Sequence, residues 1–211
     1  MKKIISITII ALLIFVVGCK KENLYPSKTV KASYPVLTLL GDELVPLAQG
    51  ATFTDPGATY TDSVTGESGT VTATETLNTN EEGITILNYT FRNKNGFETT
   101  ITRTIAITGI SDAFDISGDY ERTSNGEIAH VTKIAKGLFQ TDDVGGNVYD
   151  DPALFLITSD SSMIVPSQYL VNSEAPADFE DVSISYDPTV TFQYVVISAG
   201  YGTATRVFVK Q

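Results

Sequence analysis

Apolar positions along the chain fall into two regimes. From Ile4 to Val17 they run almost unbroken, interrupted by Ser6 and Thr8, between the basic start Met1-Lys2-Lys3 and polar Lys20-Lys21-Glu22. From Tyr34 onward they alternate with Thr, Ser and charged residues in short runs punctuated by Gly, Asp, Asn and Pro, the spacing of an all-β chain. Residues 35–40 predict a first strand ended by Gly41-Asp42. Over residues 70–74, Val71 and Ala73 alternate with threonines, which marks a strand with one face inward. Leu87, Tyr89 and Phe91 share one face of the next strand. Asn93-Lys94-Asn95-Gly96 supplies a hairpin turn, because Asn-Gly accepts positive φ, and residues 97–108 return with Ile101, Ile105 and Ile107 on one side.

Gly109 to Phe114 reads as a joint, after which longer and more aromatic strands begin. They are predicted at residues 128–134, 138–140, 154–157, 182–186, 189–198 and 203–209, with turns at Lys136-Gly137, Asp187-Pro188 and Ala199-Gly200-Tyr201-Gly202. Val190, Phe192, Tyr194 and Val196 keep a period of two, and Ala204, Arg206 and Phe208 alternate with Thr205, Val207 and Val209. The fold class expected is therefore all-β: a β-sandwich over residues 35–109, then a second antiparallel β-meander or half-barrel over residues 110–211.

The apolar run near the start ends in Val16-Val17-Gly18-Cys19, and Cys19 is the only cysteine. A charged start, an apolar stretch and a small residue before a cleavage point read as a secretory signal. The run is shorter than the roughly 20 residues a bilayer-spanning helix needs. Val-Val-Gly-Cys resembles a bacterial lipobox, which implies cleavage before Cys19, acylation of its thiol and of its new amino group, and attachment to a membrane outside the cytoplasm. Residues 1–18 are then the signal peptide. Residues 19–34, basic, polar and broken by Pro26, are a lipidated tether. Glu22 loosely resembles the acidic export tags of surface lipoproteins in Bacteroidetes-type bacteria, which favours display on the cell surface.

Charge narrows the partners. The chain carries a formal net charge of −11; without Lys2 and Lys3 the mature part has 12 basic against 25 acidic residues. Such a surface repels phosphate backbones and anionic headgroups, so no nucleic acid is expected and membrane contact falls to the acyl chains. With Cys19 acylated, no disulfide can form, and the domains rest on burial and sheet pairing. A single histidine, His130, leaves no Cys/His zinc cluster to build.

Two further resemblances follow from residues. Pro35-Val36-Leu37-Thr38-Leu39 with Gly41-Asp42, then Gly50-Ala51-Thr52-Phe53-Thr54-Asp55-Pro56-Gly57-Ala58, Gly83-Ile84 before Leu87-Asn88-Tyr89-Thr90, and Thr102-Arg103-Thr104-Ile105 resemble bacterial Ig-like modules of the type found in a pesticidal crystal protein and in surface lipoproteins. That resemblance implies a sandwich of about seven strands that serves as spacer or platform, without catalysis. Ser117-Gly118-Asp119-Tyr120-Glu121-Arg122 and residues 131–146 resemble the C-terminal module of uncharacterised Bacteroidetes lipoproteins. It implies the company of SusC/SusD-type outer-membrane nutrient uptake systems and assigns no activity.

Candidate chemistry is sparse. Asp142-Asp143, Asp150-Asp151 and Glu180-Asp181 are paired acids, but neighbours on a strand face opposite ways and make poor acid/base couples. The loop from Asp142 to Asp151 is rich in oxygen ligands yet lacks the spacing of a calcium loop, so no metal is assigned. His130 has no G-x-S-x-G elbow to serve. A sugar needs a flat aromatic and a few polar groups. With no tryptophan in the chain, Tyr149, Tyr169 and Tyr201 are the candidate ligand-binding residues, placed in or near Gly-, Pro- or Asp-rich segments where a ring can face outward. The sequence thus points to a non-enzymatic outer-membrane lipoprotein without cofactor, an accessory that binds glycan or peptide beside uptake proteins. The alternative is a structural or adhesive module with a protein partner.

Overall fold

The computed structural model of the protein describes residues 31–145 and 150–211. The chain divides into two units, residues 1–32 and 33–211. The expected signal peptide, Cys19 and nearly all of the tether lie outside the described residues, and the second unit contains both β modules.

Six strands build the first module: β1 (Val36–Leu39), β2 (Leu44–Ala48), β3 (Ala58–Asp62), β4 (Glu67–Val71), β5 (Gly83–Arg92) and β6 (Glu98–Thr108). They form two sheets, β1-β3-β4 and β2-β6-β5, with β2 parallel to β6. Leu87, Tyr89, Ile105, Ile107 and Ala58 form the core between the sheets. The Asn93 turn closes as its residues require, with the Asn93 N–H donating to the Phe97 carbonyl at 2.9 Å and Gly96 at φ 88°. The strand expected at residues 70–74 instead ends at Val71, because Val71 faces Ala58, the first residue of its partner β3. Ala73, beyond that end, still packs on the core.

One charged group is folded into this core. Arg103 shares the inward phase of Ile101 and Ile105 and is wholly buried. Its Nε–H donates to the Asp42 carbonyl at 2.8 Å and an Nη2–H to the Leu40 carbonyl at 2.5 Å. Its Nη1 donates to the Asp55 carboxylate and, at 3.0 Å, to the Tyr89 hydroxyl. Tyr89 in turn donates to Asp55 at 2.6 Å. Burial, together with the Asp55 carboxylate, pushes the Tyr89 hydroxyl up to about 12. Gly57 is required next to this cluster: its φ is +78°, and a Cβ there would sit 2.6 Å from the Val71 carbonyl oxygen.

The second module has strands β7 (Gly118–Arg122), β8 (Ile128–Ala135), β9 (Leu138–Thr141), β10 (Ala153–Ile157), β11 (Met163–Ile164), β12 (Gln168–Leu170), β13 (Ala175–Ser185), β14 (Thr191–Ile197) and β15 (Arg206–Lys210). They make one antiparallel sheet, ordered β11-β10-β9-β8-β7-β15-β14-β13-β12. Its two edge strands, β11 and β12, are consecutive in the chain, parted only by Val165-Pro166-Ser167, so the curling sheet returns on itself. Proline cannot donate to a ladder, and the Gln168 side chain fills the gap. Its Nε2–H donates to the Leu154 carbonyl at 3.0 Å and its Oε1 accepts the Leu154 N–H at 2.8 Å. The all-β class, Ig-like sandwich and curled half-barrel expected from the sequence are the fold observed.

Aromatic side chains fill the curl. Phe192 lies 4.9 Å from Tyr120, 5.1 Å from Phe208 and 5.8 Å from Phe155, ring centre to ring centre. Such pairs add about 0.5–1.5 kcal/mol each beyond their burial.

The stretch read as a joint is packed. Leu138, Leu156 and Ile164 from the curled sheet bury against Leu44, Ile84 and Ala106 of the sandwich, and the Thr108 hydroxyl donates to the Ile157 carbonyl at 2.9 Å. The Glu82 carboxylate accepts from the Gly109 N–H and from Ser159, whose N–H lies at 2.9 Å and whose hydroxyl lies at 2.6 Å. Burial pushes the Glu82 pKa up, but these bonds outweigh it and the carboxyl is held below its usual range. Replacing Glu82 with alanine is expected to lower stability by about 1–2 kcal/mol, discounted for the exposure of the site. Faster hydrogen exchange at the Gly109 and Ser159 amides, with the β14 amides unchanged, is the accompanying readout.

Candidate functional site

In an antiparallel meander, alternate turns fall at opposite ends. The segments 109–117, 136–137, 158–162 and 186–190 lie at the end that meets the sandwich. Those at 123–127, 142–145, 150–152, 171–174 and 198–205 form the other end, called the mouth below, where polar side chains replace the aromatic fill.

Asp151 organises that mouth. It is fully buried and accepts the Asn172 N–H at 2.6 Å, the Ser173 N–H at 3.1 Å and the Tyr201 hydroxyl at 2.6 Å. One carboxylate therefore ties together the loops after β9, β12 and β14. Burial raises its pKa, yet the hydrogen bonds from Tyr201, Ser173 and Asn172 outweigh that and the carboxyl stays below its usual range. The same pairing and burial push the Tyr201 hydroxyl up.

Two arginines brace the loops from inside. Arg206, 3% exposed, donates from Nη1 to the Ala204 carbonyl at 2.9 Å and from Nη2 to the Tyr201 carbonyl. Its guanidinium lies 5.3 Å from the centre of the Tyr201 ring. Arg122 donates from Nη1 to the Gly145 carbonyl at 2.8 Å, and buried Asp143 accepts the Gly145 N–H at 2.9 Å. Burial, and then the charge of Arg122, lower the Arg206 pKa. Tyr194 stands directly opposite Arg206 across β14 and β15, so both side chains start from the same inner face. Burial pushes its hydroxyl up strongly.

The residues picked from sequence scatter. Tyr201 belongs to the mouth, but not as an outward platform: it is 6% exposed and its hydroxyl is committed to Asp151. Arg206 holds the 198–205 loop through the Tyr201 carbonyl. Tyr169 is 59% exposed on the edge strand β12, and Tyr149 lies outside the described residues. Asp142 and Asp143 face opposite ways, the first exposed and accepting the His130 N–H at 2.7 Å, the second turned inward. Asp150 and Asp151 divide in the same manner. Glu180 and Asp181 are both exposed, on β13 where the ladder slips between Glu180 and Ser183. Among the described residues no three His, Cys, Asp or Glu side chains converge on a metal position.

His130 sits on the outer wall with its Nδ1 2.6 Å from Asp119 Oδ1. That hydrogen bond, then the charge of Asp142, raise its pKa above the ordinary value. A raised histidine stabilises the fold fully below its unfolded pKa of about 6.5 and loses that contribution as the pH rises through the folded value. The chain has one histidine, so its ring resonance is unambiguous. Titration by NMR is expected to give a pKa above about 6.5 in the native protein, returning toward that value in Asp119→Asn.

Arg122, Arg206 and Tyr194 were not among the sequence candidates. The signal was present in phase: Arg206 alternates in step with Phe208, and Arg122 with Tyr120, so each arginine occupies an inward position of an apolar pattern.

Residues 37–107 match the family of bacterial surface protein Ig-like domains. The crystal structure of a lipoprotein from Bacteroides thetaiotaomicron is similar at 24% identity over 84% of this chain and 100% of that chain, with a TM-score of 0.39. No curated protein matches the chain.

Proposed function

We propose that this protein is a non-enzymatic, lipid-anchored component of the outer membrane that captures a soluble glycan or peptide at the mouth of its curled sheet, as an accessory to nutrient uptake. The observation that carries this reading is the mouth itself, a buried Asp-Arg-Tyr network at the end of the sheet remote from the sandwich. β-Barrel mouths are recurrent ligand sites. The surface Ig-like domain lies between the anchor sequence and the mouth along the chain, the order a spacer requires. A lack of catalysis is supported by how the acids are used: Asp151 is saturated by donors, and the members of the 142/143 and 150/151 pairs diverge.

Anchoring rests on Cys19. Cys19→Ser is expected to move the protein from the membrane fraction to the soluble fraction and to abolish labelling by a fatty-acid probe, because the acyl chains are the attachment that the lipobox implies. Ligand capture is tested by the membrane-extracted full chain on polysaccharide and peptide panels, together with growth of a deletion strain on the ligand found. No binding and unchanged uptake would reject capture.

A second reading, a structural or adhesive module, has one observation in its favour. Tyr169 and Val171 are 59% and 64% exposed on one side of the β12 edge, an apolar spot suited to a protein partner. Co-purification with outer-membrane pore proteins, without any soluble ligand, would favour it.

A further inference from the structure

The mouth contains a buried cation held by neutral carbonyls, with the charge of Asp143 acting on it from beyond ion-pair distance. Arg206 is 3% exposed, yet among the described residues no carboxylate forms an ion pair with it. Its two terminal nitrogens are engaged by the carbonyls of Ala204 and Tyr201, which carry partial charge only. Its Nε–H has no hydrogen-bond acceptor, and the hydroxyl of Tyr194, the residue directly opposite, has no partner either. Leaving a buried donor unmet is costly, and more so when the donor belongs to a charged group. Two idle donors side by side on one inner face, one of them cationic, call for an acceptor that carries negative charge.

Resting on the capture reading above, we propose that the mouth binds a carboxylate group, whose oxygens accept the Arg206 Nε–H and the Tyr194 O–H. An acidic sugar and the C-terminus of a peptide both present that group, and both fall within the ligand classes considered above. The nearby aspartates do not forbid it. Asp151 and Asp143 keep their charge while accepting from neutral donors, but the charge of Arg122 stands with that of Arg206 beside them, and the chain's wider negative charge is screened beyond about 8–10 Å at physiological salt. Both idle atoms are closed off from solvent, so the guest reaches them only as the 198–205 loop yields. Since Arg206 itself clasps that loop through two carbonyls, arrival of the carboxylate competes with the clasp and association is slow.

The test uses the full chain in detergent micelles, titrated with galacturonate and galactose, and with an acetylated dipeptide bearing a free or an amidated C-terminus. The expected result is that one acid binds at least about tenfold more tightly than its neutral counterpart, the value of one charge-assisted hydrogen bond or more. Which acid binds identifies the source. Tyr194→Phe, which removes only the idle hydroxyl, is expected to weaken that acid about tenfold while leaving the unliganded melting temperature unchanged or higher. A purely structural hydroxyl would instead lower the melting temperature and leave the affinity alone, and that outcome overturns the proposal. Equal binding of acid and neutral forms overturns it too, while leaving capture intact. Binding of none of the four probes also overturns it, and capture is then judged by its own panels.

Discussion

Arg103→Ala is expected to destabilise the sandwich by about 3–5 kcal/mol, the usual cost of removing one partner from a buried ion pair. The change strips donors from four acceptors at once: Asp55, the Tyr89 hydroxyl and the carbonyls of Leu40 and Asp42. It also leaves the Asp55 carboxylate without its counter-charge. Arg103→Lys is expected to recover little, because a single ammonium on a flexible stem cannot reproduce a planar fork that reaches four sites. Calorimetry checks both variants. Because the modules share an apolar seam at Leu138, Leu156 and Ala106, the sandwich transition should move most and drag the second transition a shorter way. An unchanged melting profile in Arg103→Ala would mean that the network contributes no stability.

Asp151→Ala is expected to cost about 3 kcal/mol and to abolish capture. Each charge-assisted hydrogen bond to a buried carboxylate contributes about 1.5–3 kcal/mol, and partial relaxation of the three donors takes back part of the sum. Asp151→Asn keeps an acceptor and should fall between wild type and alanine. The two substitutions also separate stability from geometry, since this carboxylate and Tyr201 join the loops 171–174 and 198–205. Acid has the same effect more gently. Asp151 is held below its usual pKa, so its contribution is complete above the unfolded value of about 3.9 and disappears as the pH falls through the lower, folded value. Chemical denaturation of wild type and Asp151→Asn at pH 7 and under acid should show the difference between them shrinking.

Much of the fold was legible because apolar alternation marks strands wherever one face is buried. Leu87, Tyr89 and Phe91, the Asn93 turn and the Phe192 to Val196 alternation led to strands close to those observed. β12 carries no such signal: it is three residues long, follows Pro166, and pairs by ladder with β13 alone, its other side tied to β10 through the Gln168 side chain. The first half of β13 is silent in the sequence because Ala175 and Ala177, its inward residues, are too small to raise an apolar signal against Pro176 and Asp178. The site was harder to see. Tyrosines were sought as exposed platforms, whereas Tyr201 is folded beneath a loop. Arg103, Arg122 and Arg206 each occupy an inward phase beside Ile105, Tyr120 and Phe208. An arginine in step with aromatic and branched neighbours is the pattern in this chain that marks a buried polar network. Periodicity alone shows that such a residue faces inward, but its partners come from distant loops and depend on the closed sheet.

The central claim is that the mouth of the curled sheet, and not the sandwich, receives the ligand. Hydrogen exchange of the full chain in micelles, measured with and without a mixture of acidic and neutral oligosaccharides and short peptides, tests it most directly. Added protection is expected in residues 142–145, 171–174 and 198–205 with the sandwich strands unaffected. Protection confined to the sandwich, or none at the mouth while a ligand is demonstrably bound, would contradict it.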